Sequence, residues 1–239
     1  MNWRRIFKGP IPAPLGLGLL GAAPILGIML HYLFLTEKPA NQMLSNIPEE
    51  LIDKPLTLQP FNLLDGRGEP FDLTSLKGNW SYLILGFTHC PDVCPFVLGN
   101  LAVVYQKMAK ELSRDRIPQV IFLSVDPGRD TPETLKNYVQ HFNPAFKAAT
   151  GNKRAIDKFV DQIGGYYKLG AKRGEGEYDV VHSAEIFVID PSGRVFAKLK
   201  PPLEPALAKS AFLSLKAAYE PNTVSSVSDL DKRKFKGAS

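Results

Sequence analysis

The chain has only two cysteines, Cys90 and Cys94, and they are the residues best suited to chemistry. They are four positions apart, so on a tight loop or a helical turn their sulfurs can face one point. Such a pair can form a reversible disulfide, or its two thiolates can hold a soft metal ion together with a third ligand. A purely structural disulfide is disfavoured, because closing so short a loop removes little entropy from the unfolded chain.

The cysteines lie between a predicted strand and a predicted helix. Tyr82 to Phe87 is apolar on both faces, which is typical of a central strand covered on both sides. The apolar residues that follow recur on one helical face: Val97, Leu101, Val104, Tyr105, Met108 and Leu112. Pro95 suits a first helical turn. We therefore expect Cys94 at the positive end of a helix, which favours thiolate over thiol.

Phe87 to Pro95, which reads F-T-H-C-P-D-V-C-P, resembles the signature of the Sco/SenC family. Members of this family are membrane-anchored, thioredoxin-like copper proteins that help to assemble cytochrome c oxidase. Residues 126–131, D-P-G-R-D-T, are also similar to a pattern of the family, and locally they predict that Asp130 or Thr131 caps a helix. Three residues separate the cysteines here, whereas the thioredoxin motif has two, so an ordinary thioredoxin is disfavoured.

The histidines are the candidates for a third metal ligand. His182 lies on the apolar face of a predicted strand, where a lone histidine is more often a core residue than a ligand. The family resemblance reverses this interpretation, because members carry a histidine in a V-x-H segment, matched here by Val180 to His182. The resemblance implies that Cys90, Cys94 and His182 bind one copper ion, as Cu(I) or Cu(II). Some members have an acid just before this histidine, where this chain has Val181.

Three other polar residues compete for a role at the site. His89 adjoins Cys90, but a side chain next to a ligand usually points elsewhere, so we expect it at the surface or behind the ligands. Asp92 is interpreted as a turn-former that accepts backbone N–H bonds, since carboxylate oxygen matches a soft cuprous ion poorly. His141 lies on a predicted helix, and we expect it to be structural and half-exposed.

The remaining elements alternate in type. The chain predicts a strand at Val120 to Val125, helices after Thr131 and Asn152, one strand from Tyr178 to Ile189 with a return after a turn, and a last helix from Leu203 to Tyr219. This order predicts an α/β, thioredoxin-like mixed sheet with helices on both faces, preceded by one N-terminal transmembrane helix. The cysteines fall at the carboxyl end of a parallel strand, where such folds place their sites.

The N-terminus has the pattern of a membrane anchor. A basic start is followed by residues 9–36, which contain no Asp, Glu, Lys or Arg, and the apolar helix would span about 30 Å. We predict a basic cytoplasmic segment (1–10), a retained transmembrane anchor (11–35), a linker (36–54), a copper-binding domain (55–220) and a disordered polar tail (221–239). A signal peptide cleaved near residues 21–23 and a twin-arginine export signal are the alternatives.

The basic flank would stay in the cytoplasm, so the domain would face the periplasm, or the intermembrane space in a eukaryote. The net charge of +5 is spread along the chain and gives no support for nucleic-acid binding. The resemblance implies a metallochaperone for the copper A centre of cytochrome c oxidase, with the oxidase's copper-bearing subunit and a thiol–disulfide donor protein as partners. A thiol–disulfide oxidoreductase that reduces the cysteines of a partner's copper site is the alternative, and a peroxidase is a third hypothesis. Whether the protein is an enzyme stays open.

Overall fold

The computed structural model describes residues 49–113, 116–171, 173–174 and 177–224 of the 239-residue chain. The predicted anchor (11–35) and most of the predicted linker lie outside these residues. Within the described part, no helix is both long enough and apolar enough to cross a membrane.

Strands and helices alternate through most of the described chain. The strands are β1 (Glu49–Thr57), β2 (Leu63–Asp65), β3 (Pro70–Phe71), β4 (Ser81–Gly86), β5 (Gln119–Ser124), β6 (Lys147–Thr150), β7 (Tyr167–Leu169), β8 (Val180–His182), β9 (Ile186–Ile189) and β10 (Arg194–Leu199). The helices are α1 (Val93–Glu111), α2 (Pro132–Phe142), α3 (Lys153–Gln162) and α4 (Ala208–Val224), with a 3-10 turn at Leu73–Ser75.

Eight of these strands form one mixed sheet with the order β1-β10-β9-β4-β5-β6-β2-β3. Its central strands β4, β5 and β6 are parallel, and the other neighbours pair antiparallel. Because α1 connects β4 to β5 and α2 connects β5 to β6, the carboxyl ends of the parallel strands share one edge of the sheet. Gly86 and Ser124 end β4 and β5 side by side at this edge.

Alternate residues of β4 enter two cores on opposite faces of the sheet. Tyr82 and Ile84 belong to a cluster with side chains of α1, α2 and α4, whereas Leu83 and Leu85 belong to a cluster with side chains of α3. This alternation is what a pleated strand covered on both faces produces. The predicted thioredoxin-like fold, a mixed sheet with helices on both faces, is therefore confirmed.

Side-chain caps start two of the helices. Thr131 Oγ1 accepts a hydrogen bond from the Thr134 N–H at 3.2 Å, and Asn152 Oδ1 accepts one from the Ala155 N–H at 2.9 Å. Each bond satisfies a backbone donor that has no partner within its helix. The sequence named Asp130 and Thr131 as candidate caps. In the structure Thr131 caps the helix, and the side chain of Asp130 makes other hydrogen bonds.

The prediction of a single strand from Tyr178 to Ile189 is wrong. β8 pairs with β7 in a separate two-stranded sheet, whereas β9 pairs with β4 and β10 in the main sheet. Between β8 and β9, the Ser183 N–H donates to the Tyr166 carbonyl and the Ser183 hydroxyl accepts from the Tyr166 N–H, each at 2.8 Å. These bonds direct the chain out of one sheet before it enters the other.

Other boundaries also differ from the sequence predictions. β1 begins at Glu49, inside the stretch predicted as a linker, because its backbone pairs with β10. α4 begins at Ala208, since residues 204–207 form a turn in which the Leu207 N–H donates to the Glu204 carbonyl at 3.0 Å. The same helix extends to Val224, beyond the predicted start of the tail. β6 and β7 were not predicted.

Gly86, the last residue of β4, lies against Phe122 of β5 and Cys94 of α1. A Cβ on Gly86 would lie 2.6 Å from Cζ of Phe122 and 3.0 Å from Sγ of Cys94. Atoms cannot come so close, so any larger residue at this position would displace the Phe122 ring, the Cys94 sulfur or both.

Replacing Gly86 with alanine should therefore lower the free energy of unfolding by about 1–3 kcal/mol, as overpacked cores do. Gly99→Ala is the matched control, because Gly99 lies on α1 and a Cβ there would meet no atom within 4 Å. That change should be neutral or stabilising by up to about 1 kcal/mol. Urea unfolding of both variants measures the difference, and equal stabilities would contradict the proposed clash.

Candidate metal site

Cys90 and Cys94 lie in the loop after β4 and in the first turn of α1. The Cys90 N–H donates to the Phe87 carbonyl at 3.3 Å, and the Cys94 N–H donates to Sγ of Cys90 at 3.4 Å. Both residues are free cysteines. Cys94 is 3% exposed, whereas Cys90 is only partly buried. The pair thus combines one accessible sulfur with one buried sulfur.

His182 reaches the buried sulfur from the last position of β8. Its Nε2 atom lies 3.6 Å from Sγ of Cys94, and its Nδ1 atom lies 2.8 Å from the Ser183 carbonyl oxygen. A carbonyl oxygen only accepts hydrogen bonds, so Nδ1 carries the proton of the neutral ring. The Nε2 lone pair therefore faces the sulfur and is available to a metal ion.

Cys94 and His182 both border a small cavity. A cavity of about 10 Å³ is lined by Cys94, His182, Phe122 and neighbouring apolar residues. Ligands that share a metal ion, with bonds of about 2.3 Å to sulfur and 2.0–2.1 Å to nitrogen, lie roughly 3.5–3.8 Å apart. The separation of 3.6 Å between Cys94 Sγ and His182 Nε2 falls in this range. The donors present therefore fit a metal that prefers sulfur and imidazole.

Cys90 lies next to Cys94 at the start of α1. Among the described residues, no three His, Cys, Asp or Glu side chains are arranged to hold a metal ion. The Cys90 sulfur instead accepts the hydrogen bond from the first turn of α1. The structure thus brings His182 Nε2 to Cys94 Sγ and places the Cys90 side chain beside Cys94.

The expectation that Cys94 is a thiolate is wrong for the metal-free protein. Burial raises the pKa of the Cys94 thiol to about 12, a hydrogen bond with the Phe87 backbone opposes this, and the Cys90 and Asp130 side chains raise the pKa further. The loss of hydration outweighs the effect of the helix terminus, because an anion in apolar surroundings has little to replace water. Cys94 is thus a thiol at neutral pH, and a metal ion would have to displace its proton.

Asp130 fixes the loop that carries the cysteines. Its side chain is buried and accepts hydrogen bonds from the Thr88 N–H at 3.0 Å, from the Thr88 hydroxyl at 2.5 Å and from the Ser124 hydroxyl at 2.6 Å. These bonds join the end of β4 to the end of β5. Asp130 is therefore a structural support of the site rather than a helix cap.

The structure also locates the three other polar residues named from the sequence. His89 has a side chain that is 56% exposed, and its Nδ1 atom lies 3.1 Å from the Thr88 hydroxyl. Asp92 precedes α1 but its side chain makes no capping bond, so the expected role as an acceptor of backbone N–H bonds is wrong. His141 lies in the last turn of α2, where its ring packs against Phe142.

A second group near the site was missed in the sequence. Asp126 is fully buried, and it accepts hydrogen bonds from Arg129 Nε at 2.5 Å and from the Tyr178 hydroxyl. Asp126 and Arg129 belong to the D-P-G-R-D-T stretch. The resemblance of this stretch to a family pattern was the only sequence signal that pointed to these two residues. No local sequence signal pointed to Tyr178, because its partner lies far away in the chain.

Tyr138 contributes a buried hydroxyl on the α2 side of the site. Its ring packs against Phe122, and its hydroxyl has no hydrogen-bond partner in the described part of the chain. Burial raises the pKa of Tyr138, and the Cys94, Cys90 and Asp130 side chains raise it further. The phenol thus stays neutral and keeps this wall of the site free of charge.

Residues 49–214 match the family described as SCO1/SenC. The chain belongs to this family. The SCO2-like protein of Rickettsia felis is 32% identical over 171 residues, which are 71% of this chain and 82% of the relative. Among solved structures, Bradyrhizobium japonicum ScoI with copper bound is 34% identical with a TM-score of 0.58 and covers 67% of this chain and 98% of its own. Arabidopsis thaliana ScoI with copper bound is 29% identical with a TM-score of 0.59 and covers 66% and 98%.

The unequal burial of the two cysteines should appear in their reactivity. In Cys94→Ser only Cys90 is left to react, and in Cys90→Ser only Cys94 is left. At pH 8 we expect iodoacetamide to alkylate Cys90 at least about tenfold faster than Cys94, because the buried thiol is protonated and shielded. Mass spectrometry of timed samples measures both rates, and denatured samples of each variant serve as controls. Similar rates in the folded variants would contradict the burial of Cys94.

Proposed function

We propose that this SCO1/SenC protein is a copper metallochaperone that binds one copper ion, as Cu(I) or Cu(II), through Cys90, Cys94 and His182. The observation that carries the proposal is the 3.6 Å approach of His182 Nε2 to Cys94 Sγ, beside a cavity of about 10 Å³ that both residues line. Thiolate ligands favour the soft cuprous ion, and imidazole suits copper as well. The copper-bound ScoI structures of two relatives support copper as the metal.

Copper is the cargo of such a chaperone, so the site has to release it as well as bind it. Two thiolates and one neutral imidazole leave a three-coordinate ion that can accept an incoming thiolate from a recipient. Cys90 is the less buried cysteine, so it is the natural first ligand to be exchanged. By family resemblance, the recipient is the copper A centre in the copper-bearing subunit of cytochrome c oxidase.

The predicted location brings the domain close to such a recipient. An anchor at residues 11–35 would hold the protein in the inner membrane with the copper domain facing the periplasm, or the intermembrane space in a eukaryote. The basic start and the uncharged run after it support this orientation. A thiol–disulfide donor protein would keep Cys90 and Cys94 reduced, since only thiolates hold the metal.

Loss of the histidine tests the ligand assignment. His182→Ala should weaken cuprous ion binding by about tenfold or more and should shrink the rise in melting temperature that copper produces. The metal-free variant should stay folded, because the imidazole is only partly buried. Competition with a chromophoric cuprous chelator and thermal unfolding with and without copper measure the two effects.

His141→Ala is the matched control, because it removes a histidine from the last turn of α2, and His89→Ala should likewise change little. Protein oxidised to a Cys90–Cys94 disulfide should bind copper poorly, because disulfide sulfur lacks the charge of thiolate. Unchanged copper affinity in His182→Ala would overturn the assignment. Lower stability without copper, together with intact affinity, would identify His182 as a core residue.

A thiol–disulfide oxidoreductase is the second candidate, favoured by the pairing of an accessible Cys90 with a buried Cys94. The Cys90 thiolate would attack a partner's disulfide and form a mixed disulfide, releasing one partner thiolate. The first partner thiolate would take the proton of the buried Cys94 thiol, and the resulting Cys94 thiolate would attack the Cys90 sulfur, which forms the Cys90–Cys94 disulfide and releases the second partner thiolate. The two electrons pass to the partner, so this protein is oxidised as the partner is reduced.

The two cysteine variants separate this activity from copper binding. Cys94→Ser should accumulate a mixed disulfide through Cys90 when mixed with an oxidised peptide that carries a Cys-x₃-Cys disulfide, whereas Cys90→Ser should not. His182→Ala should bind copper weakly but reduce the peptide at the normal rate. Non-reducing electrophoresis and mass spectrometry detect the adduct. Failure of Cys94→Ser to form it would argue against the oxidoreductase.

A further inference from the structure

The turn after β5 holds a tyrosine from a distant part of the chain. The Tyr178 hydroxyl donates a hydrogen bond to Oδ1 of Asp126, and the guanidinium carbon of Arg129 lies 3.9 Å from the centre of the Tyr178 ring. Arg129 Nε in turn donates to Oδ2 of Asp126 at 2.5 Å. We refer to Asp126, Arg129 and Tyr178 as the Tyr178 clamp.

The Tyr178 clamp closes tightly on the backbone of the turn. A Cβ on Gly128 would lie 3.1 Å from the Tyr178 hydroxyl oxygen, so the phenol rests directly against this position. Burial raises the pKa of Tyr178, as does its hydrogen bond to Asp126, so the hydroxyl stays protonated and remains a donor at neutral pH. Asp126 is fully buried and needs such donors to offset its lost hydration.

The clamp reaches His182 by two routes. Along the chain, Tyr178 stands four residues before His182 and two residues before the start of β8. Across space, the Arg129 guanidinium carbon lies 5.6 Å from the centre of the Phe87 ring, whose edge-to-face contact with the His182 ring has a centroid distance of 6.1 Å. Arg129 thus contacts both Tyr178, shortly before the histidine strand, and Phe87, whose ring packs against His182.

The histidine strand needs such external support. β8 has three residues and pairs with the three residues of β7, outside the main sheet. An isolated two-stranded ribbon is marginally stable in water. Hydrogen bonds between Tyr166 and Ser183 secure the end of β8 that follows His182, and the clamp is positioned to secure the end that precedes it.

We propose that Tyr178 is a positioning residue that holds His182 at the distance from Cys94 needed to bind copper, by anchoring the start of β8 to the turn after β5. This inference rests on the proposed copper site, because it assigns how that site keeps its third ligand. It gives the D-P-G-R-D-T stretch a function besides helix capping. Copper retention would then depend on a tyrosine that never contacts the metal.

Tyr178→Phe tests the proposal, because it keeps the ring on Arg129 and removes only the hydroxyl that binds Asp126. We expect cuprous ion affinity to fall by about tenfold, as for other residues that orient a ligand. Tyr166→Phe is the matched control, since Tyr166 lies next to the same hairpin but has a side chain exposed to solvent. Competition with a chromophoric cuprous chelator measures the affinity of each full-length variant.

The decisive readout is a double-mutant cycle with His182→Ala. If Tyr178 acts through the histidine, Tyr178→Phe should weaken copper binding when His182 is present. In the His182→Ala background, the same change should cause no further loss of copper affinity. An equal loss in both backgrounds, or an affinity unchanged by Tyr178→Phe, would overturn the positioning role. Absence of copper binding by the unmodified protein, or unchanged affinity in His182→Ala, would instead overturn the proposed function and this inference with it.

Discussion

The approach of His182 to Cys94 depends on how closely the chain packs at the carboxyl edge of the parallel strands. Cys94 lies against the end of β4, where Gly86 has no side chain and Phe122 from β5 fills the space beside it. His182 arrives from a strand outside the main sheet. The contact therefore requires three segments, distant in sequence, to meet within a few ångströms, and small changes in packing would separate the two donor atoms.

Two buried carboxylates hold these segments together. Asp126 and Asp130 belong to one turn, and burying their charges would be costly without hydrogen-bond donors close by. The donors come from elsewhere: Thr88 in the cysteine loop binds Asp130, and Tyr178 before the histidine strand binds Asp126. Satisfying the two charges thus fixes both halves of the site relative to β5, so a short turn controls the geometry of residues far from it in sequence.

Burial of Cys94 also sets the charge of the site. Because the pKa of Cys94 in the folded protein is raised from 9.0 to about 12, the neutral thiol favours the folded state below pH 9. This contribution to the free energy of unfolding is lost as the pH rises through the folded pKa. A metal-free thiolate would be an unpaired buried charge, whereas a thiolate bound to a cation is compensated. The apolar surroundings therefore couple deprotonation to metal binding.

Much of the fold followed from local patterns, because these patterns depend only on neighbours in sequence. Examples are the continuous apolar strand β4, the apolar face of α1 and the helix cap Thr131. The cysteine pair and His182 were recognised from motifs. The sequence could not show that β8 and β9 enter different sheets, because their apolar residues share one alternating phase. The protonation of Cys94 and the contact between Tyr178 and Asp126 were decided only by tertiary structure, since burial depth and hydrogen bonds across the fold depend on segments that no local pattern relates.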